Sequence, residues 1–149
     1  MSVPVLTPAL QVEGVEEACE ALRARGLRLS AARRLVIEAL VAAGRPVRAE
    51  EIAGGLGGRL PRSDLASVYR NLETLESHGL VRHLHLGHGP GLYALAGEER
   101  ELLLCESCFR YIAVEPDVLD GVREALADAT GWQARFSHFP LTGLCPECG

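Results

Sequence analysis

Ser63-Asp-Leu-Ala-Ser-Val-Tyr-Arg-Asn-Leu-Glu-Thr-Leu75 is the stretch whose reading settles the architecture. Leu65, Val68, Leu72 and Leu75 recur at the spacing that lines one face of an α-helix. Ser63 is placed to cap its start, and Gly79 stands where a helix end takes a left-handed residue. Then the period changes. Residues 80–86 and 92–96 read as two short strands joined by Gly87-His-Gly-Pro-Gly91, a hairpin. Working upstream, Val12, Val15, Ala18, Cys19 and Leu22 fall at helical spacing until Gly26 stops that helix. Ser30 is the expected N-cap of a second helix through Ala43, with Leu35, Val36, Ala39 and Leu40 on its buried side. Gly44 and Pro46 end it, and a short third helix over 49–56 runs into a glycine-rich connection. That connection lacks the Lys-Ser/Thr ending of a phosphate loop and follows no strand. Helices followed by a hairpin form the pattern of a winged helix-turn-helix, in which the helix before the hairpin is placed to enter a DNA major groove.

Past Gly97 the character shifts. Residues 102–105 and 109–114 read as strands, and Pro116 starts a helix through Thr130 with Val118, Val122 and Leu126 in register. Trp132, Ala134, Phe136 and His138 then alternate with polar neighbours, which predicts a further strand. The expected fold class is α+β: an N-terminal winged helix-turn-helix over 1–95 and a small C-terminal α/β dimerisation domain over 96–149. A domain of ~50 residues buries too little surface to stand well alone, so a metal and a partner subunit would both help it. Charge divides the same way. The net charge is −5, yet residues 1–95 carry 11 Arg against 10 acidic residues while 96–149 carry 4 against 10. There is no Lys, so every fixed positive side chain is a guanidinium, the group that holds phosphate and guanine bidentately.

The 48% hydrophobic and 23% charged composition is that of a globular chain. No apolar run approaches the roughly 20 residues of a membrane span. Residues 1–10 lack the basic start and apolar stretch of a signal peptide, which predicts a cytoplasmic protein. In a reducing compartment the cysteine pairs Cys105-Glu-Ser-Cys108 and Cys145-Pro-Glu-Cys148 read first as zinc knuckles. Four thiolates close a tetrahedral Zn²⁺ site with no open position, so the zinc is structural and not catalytic. A redox role would want a strand–CxxC–helix setting, which neither pair has. Cys19 reads as a small core residue. Ser63, Ser67, Tyr69, Arg70 and Asn71 offer side chains that reach phosphates and base edges, although a solvated amphipathic helix would carry the same types.

Leu-Ala-Ser-Val-Tyr-Arg-Asn-Leu (65–72), two CxxC knuckles and the strand–helix–strand C-terminal half together resemble the ferric uptake regulator (Fur) family, over about residues 26–149. The resemblance implies a homodimeric repressor that binds a divalent metal and then an operator in double-stranded DNA. It implies major-groove contacts from Tyr69 and Arg70, with Ser67 beside them, a minor-groove contact from Arg28 and a backbone contact from Arg33. The chain departs from the family at its sensing sites. The run before the first knuckle is Glu99-Arg100-Glu101-Leu102, with no histidine. One family site falls on Pro46, Ala94, Arg100, Leu102 and Ala113, none of them a good ligand, so that site is read as lost and an oxidisable-histidine peroxide sensor is not expected there. The other falls on Glu99, Glu101, Asp120 and His138, all able to be ligands. This oxygen-rich set favours Mn²⁺ or Fe²⁺ without excluding Zn²⁺. Against it stand solvated glutamates and a salt bridge in place of a cation. His83, His85 and His88 are an alternative regulatory set, suited to Zn²⁺, although histidines on a wing also serve simply to touch phosphate or water.

The expected function is therefore a DNA-binding transcriptional repressor with structural zinc and a second divalent metal as corepressor, and no enzyme: it has no small-molecule substrate and no membrane partner. The alternative is a winged-helix DNA-binding or protein-bridging regulator that keeps the zinc and no longer senses metal.

Overall fold

The computed structural model describes residues 10–85, 91–97, 101–135 and 141–149. They form two compact units; the first runs through His83 and takes in the second hairpin strand, and the second begins next to residue 98 and also takes in Leu84. The fold is α+β.

In the first unit α1 (Val15–Ala24), α2 (Ala31–Ala43), α3 (Ala49–Ala53), a single turn α4 (Gly55–Gly58) and α5 (Leu65–Ser77) precede a hairpin of β1 (Val81–Leu84) and β2 (Leu92–Leu95). Ser30 caps α2 as expected, its Oγ accepting from the Arg33 N–H at 3.1 Å, and Gly44 closes α2 in the left-handed region (φ 59°). Helix α3 is shorter than the expected 49–56. It stops at Ala53 because Gly55 turns left-handed (φ 75°) where a Cβ would collide with the Leu60 carbonyl, so the chain leaves the helix there. The cap of α5 is Asp64 and not Ser63: the Asp64 carboxylate accepts from the Ser67 N–H at 2.9 Å, while the Ser63 hydroxyl is buried with no partner among the described residues.

One apolar core holds this unit. Cys19 and Leu22 of α1, Val36, Ile37 and Leu40 of α2, Ile52 of α3, and Val68, Leu72 and Leu75 of α5 are all fully buried, with Leu80, Val81 and Tyr93 closing it from the hairpin. Leu65, expected in the apolar stripe, lies at its edge and is 39% exposed. Leu35 is only half buried, and Ile37 takes the deeper position on α2. The hairpin is pinned to the loop between α2 and α3 by a two-way backbone pair, Val47 N–H to Tyr93 O at 2.9 Å and Tyr93 N–H to Val47 O at 2.7 Å.

In the second unit β3 (Glu101–Cys105) is the middle strand of a three-stranded sheet, antiparallel to β4 (Tyr111–Val114) and parallel to β5 (Leu141–Gly143). Helix α6 (Pro116–Thr130) has the expected ends, with Pro116 at the first turn and Gly131 left-handed after the last. Two expectations change here. Residues 132–135 are not a strand, and Trp132 is 79% exposed; residues 136–140 lie outside the described residues. The third strand is instead the short Leu141–Gly143, which the alternation beginning at Trp132 does not announce. Val118, Val122 and Leu126 are in register, one per helical turn, yet all three are exposed; the residue α6 buries is Leu119.

Leu72 is fully enclosed between α5 and α2. Leu72→Ala should destabilise the first unit by about 2–5 kcal/mol through the cavity it leaves, read as a lowered denaturant midpoint.

Candidate nucleic-acid interface and metal centre

Burial sorts the side chains of α5 into two sets. Tyr69 and Arg70 are exposed, as a reading surface requires; Ser67 is half buried; Asn71 is turned inward and only 7% exposed. Asn71 is thus a packing residue and not one of the outward polar groups that its place in the helix suggested. Its Oδ1 accepts from the Arg33 Nε at 3.1 Å, and its Nδ2 donates to the Ser67 Oγ at 3.4 Å. Arg33 also donates from Nη1 to the Arg28 carbonyl at 2.5 Å. Arg28 itself is exposed. The Tyr69 hydroxyl donates to the Glu50 carboxylate of α3 at 3.1 Å. Desolvation, and then that carboxylate, holds the phenol above its ordinary pKa, so it stays protonated and able to donate.

The four knuckle cysteines converge. Their sulfurs all lie within 4.8 Å of one another, and Cys108 Sγ is 3.8 Å from Cys145 Sγ. Tetrahedral zinc with bonds of ~2.3 Å sets its sulfurs roughly 3.8 Å apart, so the cluster fits the ion. The backbone builds both halves alike: the Phe109 N–H reaches back to the Cys105 carbonyl and the Gly149 N–H to the Cys145 carbonyl, each at 3.0 Å. Phe109 takes the left-handed region (φ 60°) to do this. Arg110 Nη2 and Glu147 Oε2, 2.8 Å apart, tie one knuckle to the other. N–H groups aimed at sulfur prepare a thiolate. The Cys108 N–H, and after it the Cys145 N–H at 3.4 Å, lower the Cys105 thiol to about 6. Four thiols cannot all ionise without a cation, and the bond to Cys145 pushes the Cys148 thiol up to about 11. A bound Zn²⁺ would remove that conflict. A zinc held by these four sulfurs would have no open position for water, the arrangement of a structural site.

Among the described residues these cysteines are the one group of three or more ligand side chains close enough to share an ion. In the candidate regulatory set, Glu99 and His138 lie outside the described residues. Glu101 and Asp120 both face Arg123 of α6: its Nη1 is 3.0 Å from the Asp120 carboxylate and its Nη2 pairs with Glu101. Two carboxylates thus surround one cation, the arrangement a divalent metal would need, but the cation is a guanidinium. In the alternative set, His88 lies outside the described residues and His85 is exposed. His83 stacks on Tyr93, ring centroids 4.5 Å apart, and packs so closely on Gly91 that a Cβ there would collide with its ring. His83 is therefore a packing element of the hairpin. Of the other mapped positions, Pro46 is buried in the first unit and Ala94 lies on β2.

A winged helix joined to a four-thiolate centre defines a class of DNA-binding regulator. The model of the ferric uptake regulator family matches residues 24–139, and the chain belongs to that family. Membership makes it a transcriptional regulator of the metal-responsive repressor type. It is 28% identical over 134 residues to the peroxide operon regulator of Bacillus subtilis, covering 90% of this chain and 92% of the relative. It is 24% identical over 134 residues to the peroxide-responsive repressor PerR of Staphylococcus saprophyticus, covering 90% of each. Its fold matches the Helicobacter pylori ferric uptake regulator (TM-score 0.69, 23% identity, 93% of this chain and 96% of that one). It also matches that of Vibrio cholerae (TM-score 0.65, 26% identity, 85% and 98%). No helix among the described residues is long and apolar enough to cross a membrane.

Cys108→Ser removes one of four zinc donors. Elemental analysis should find one zinc per chain in the parent, and the variant should lose it and with it the folded second unit. A variant equally zinc-loaded and equally stable contradicts the assignment.

Proposed function

We propose that the protein is a homodimeric, cytoplasmic repressor that binds an operator in double-stranded DNA. Residues 1–95 bind the DNA and residues 96–149 dimerise. Structural zinc sits at Cys105, Cys108, Cys145 and Cys148, and a second divalent metal, Zn²⁺, Mn²⁺ or Fe²⁺, is corepressor. No catalytic residue is assigned.

The observation that carries the DNA reading is the pair Tyr69 and Arg70, exposed side by side on the helix that precedes the hairpin, with Arg28 exposed on the loop before α2. Arg28, Arg33, Ser67, Tyr69 and Arg70 make up the interface, and the structure supports two kinds of member. Arg70 offers donors to a base edge and Tyr69 an exposed ring, its hydroxyl donated to Glu50; Arg33 and Ser67 are engaged within the protein. The dimer reading rests on Val118, Val122 and Leu126, an apolar stripe on α6 that the described residues leave exposed. A metal that binds one arrangement of the dimer more tightly shifts the population toward it, which is how a corepressor sets the spacing of two reading helices.

For the regulatory metal, Glu99, Glu101, Asp120 and His138 remain the first candidates and His83, His85 and His88 the second. The packing of His83 against Tyr93 and Gly91 speaks against the second set. Arg123 favours a further reading in which the zinc stays and metal sensing has gone, because the two described carboxylates of the first set already share a cation. The peroxide response named for the B. subtilis and S. saprophyticus relatives is not carried over. By family resemblance Ala94, Leu102 and Ala113 stand where that iron site needs ligands, and none of them can supply one.

Metal content per chain, measured before and after a mild chelator with DNA binding followed in parallel, tests the proposal. One retained zinc plus one removable metal whose loss abolishes DNA binding is the expected result. Retained zinc with unchanged DNA binding selects the non-sensing alternative. Arg70→Ala should weaken operator binding by ~1–3 kcal/mol and relax the sequence preference. Arg123→Met frees Glu101 and Asp120, so it should tighten binding of Mn²⁺ in a calorimetric titration of the zinc-loaded protein; equal affinities would show that Arg123 does not compete.

A further inference from the structure

Arg33, half buried, bonds its guanidinium to two acceptors of the protein. Nη1 is bonded to the Arg28 carbonyl at 2.5 Å and Nε to the Asn71 Oδ1 at 3.1 Å, so one planar group joins the loop before α2 to the middle of α5. The bridge is anchored at both ends. On the α2 side the Arg33 N–H is held by the Ser30 cap. On the α5 side Asn71 is the one buried polar residue among the described residues, and its remaining group is satisfied by the Ser67 Oγ. A buried amide with both ends paired has a single orientation, because turning it over would set donor against donor. Arg33 therefore reads a fixed acceptor on α5 and fixes a backbone position on the loop.

The residues it joins are the neighbours of the DNA-directed cations. Arg28 is exposed and its own carbonyl is the one held; Arg70 is exposed and immediately precedes Asn71. We infer that Arg33 is a positioning residue for DNA recognition and not a phosphate contact: it sets the Arg28 backbone against α5, so that Arg28 and Arg70 meet the duplex in one prearranged geometry. The inference rests on the DNA-binding reading above and assigns Arg33 a role different from the backbone contact that the family resemblance implies. Prearrangement raises affinity by removing the cost of ordering the loop at the moment of binding. The job needs arginine. Its Nε and Nη donors point along two fixed directions of one plane, whereas a lysine has a single rotating nitrogen.

Lysine and methionine at this position separate the two roles. The probe is a duplex selected from a random-sequence pool by the zinc-loaded wild type, with binding followed by fluorescence anisotropy from low to moderate salt. A phosphate contact would survive Arg33→Lys nearly intact, and its loss in Arg33→Met would reduce the slope of log K against log salt by about 1. A positioning residue predicts the opposite: both variants bind about tenfold or more weakly, and the Arg33→Met slope stays that of wild type. It also predicts that Arg28→Ala, costly on its own, costs little more when added to Arg33→Met, because the loop is already unset. Circular dichroism and the thermal midpoint report whether each variant is folded; should Arg33→Met unfold, Arg33→Lys decides. Wild-type affinity in folded Arg33→Lys, a slope reduced by about 1, or simple additivity with Arg28→Ala overturns the inference. A wild type that enriches and binds no duplex overturns the DNA reading itself, which is a separate result.

Discussion

Among the described residues the second unit buries only Leu84, Leu104, Cys105 and Leu119, and so small an apolar core does little to hold a sheet and a helix together. The constraint that does is the convergence of four sulfurs. Cys105 ends β3 and Cys145 follows β5, so closing the knuckles joins the two parallel strands that have only three register pairs between them. Even the buried apolar set includes one of the ligands. The N–H groups aimed at Cys105, and the left-handed Phe109 that turns the first knuckle, shape a site that fits an ion. A zinc held there would make metal binding and folding one equilibrium, which is the usual state of small thiolate domains.

The first unit solves the same problem without an ion. Its helices and hairpin share a continuous apolar core, and the short backbone pair between Val47 and Tyr93 fastens the wing to the helices. This difference explains why most of it was legible in the sequence. Periodic leucines, the Ser30 cap and the glycine stops are local signals, and α1, α2, α5 and both hairpin strands lie where those signals put them. The errors are also local in origin. Ser63 and Asp64 are both good caps, and only the path of the chain decides between them. Glycines 54 and 55 look like the tail of a helix until the Leu60 carbonyl closes the space beside Gly55.

In the second unit the sequence misled where a pattern stands for a contact. Alternation from Trp132 onward suggests a strand, but pairing depends on a neighbour, and β3 offers its free edge to Leu141–Gly143 instead. Val118, Val122 and Leu126 keep the helical register their spacing implies, yet register does not say what covers a face. The site shows the same division. Cysteine spacing is nearly sufficient to name a zinc centre, because only a few geometries satisfy four thiolates. Carboxylates carry no such restriction, and nothing in the spacing of Glu101 and Asp120 reveals that Arg123 lies between them. Asn71 was missed as a packing residue because an amide on a recognition helix looks like a base reader until its burial is known.

A net charge of −5 on a DNA-binding chain becomes intelligible once the arginines are followed to their partners. Arg34 is paired with Glu16 and Glu38 and Arg45 with Glu51, which braces helices, and Arg33 bonds to protein acceptors, while Arg28 and Arg70 stay exposed. Non-specific attraction to phosphate scales with the number of counterions released, and the many acidic residues of the chain oppose it. Affinity must then come from well-placed base contacts on α5 and from engaging two half-sites at once through a dimer, and both demand a rigid reading surface. On the inference drawn for Arg33, a guanidinium serves DNA recognition by holding the interface in shape, beside those such as Arg70 that are exposed to touch DNA.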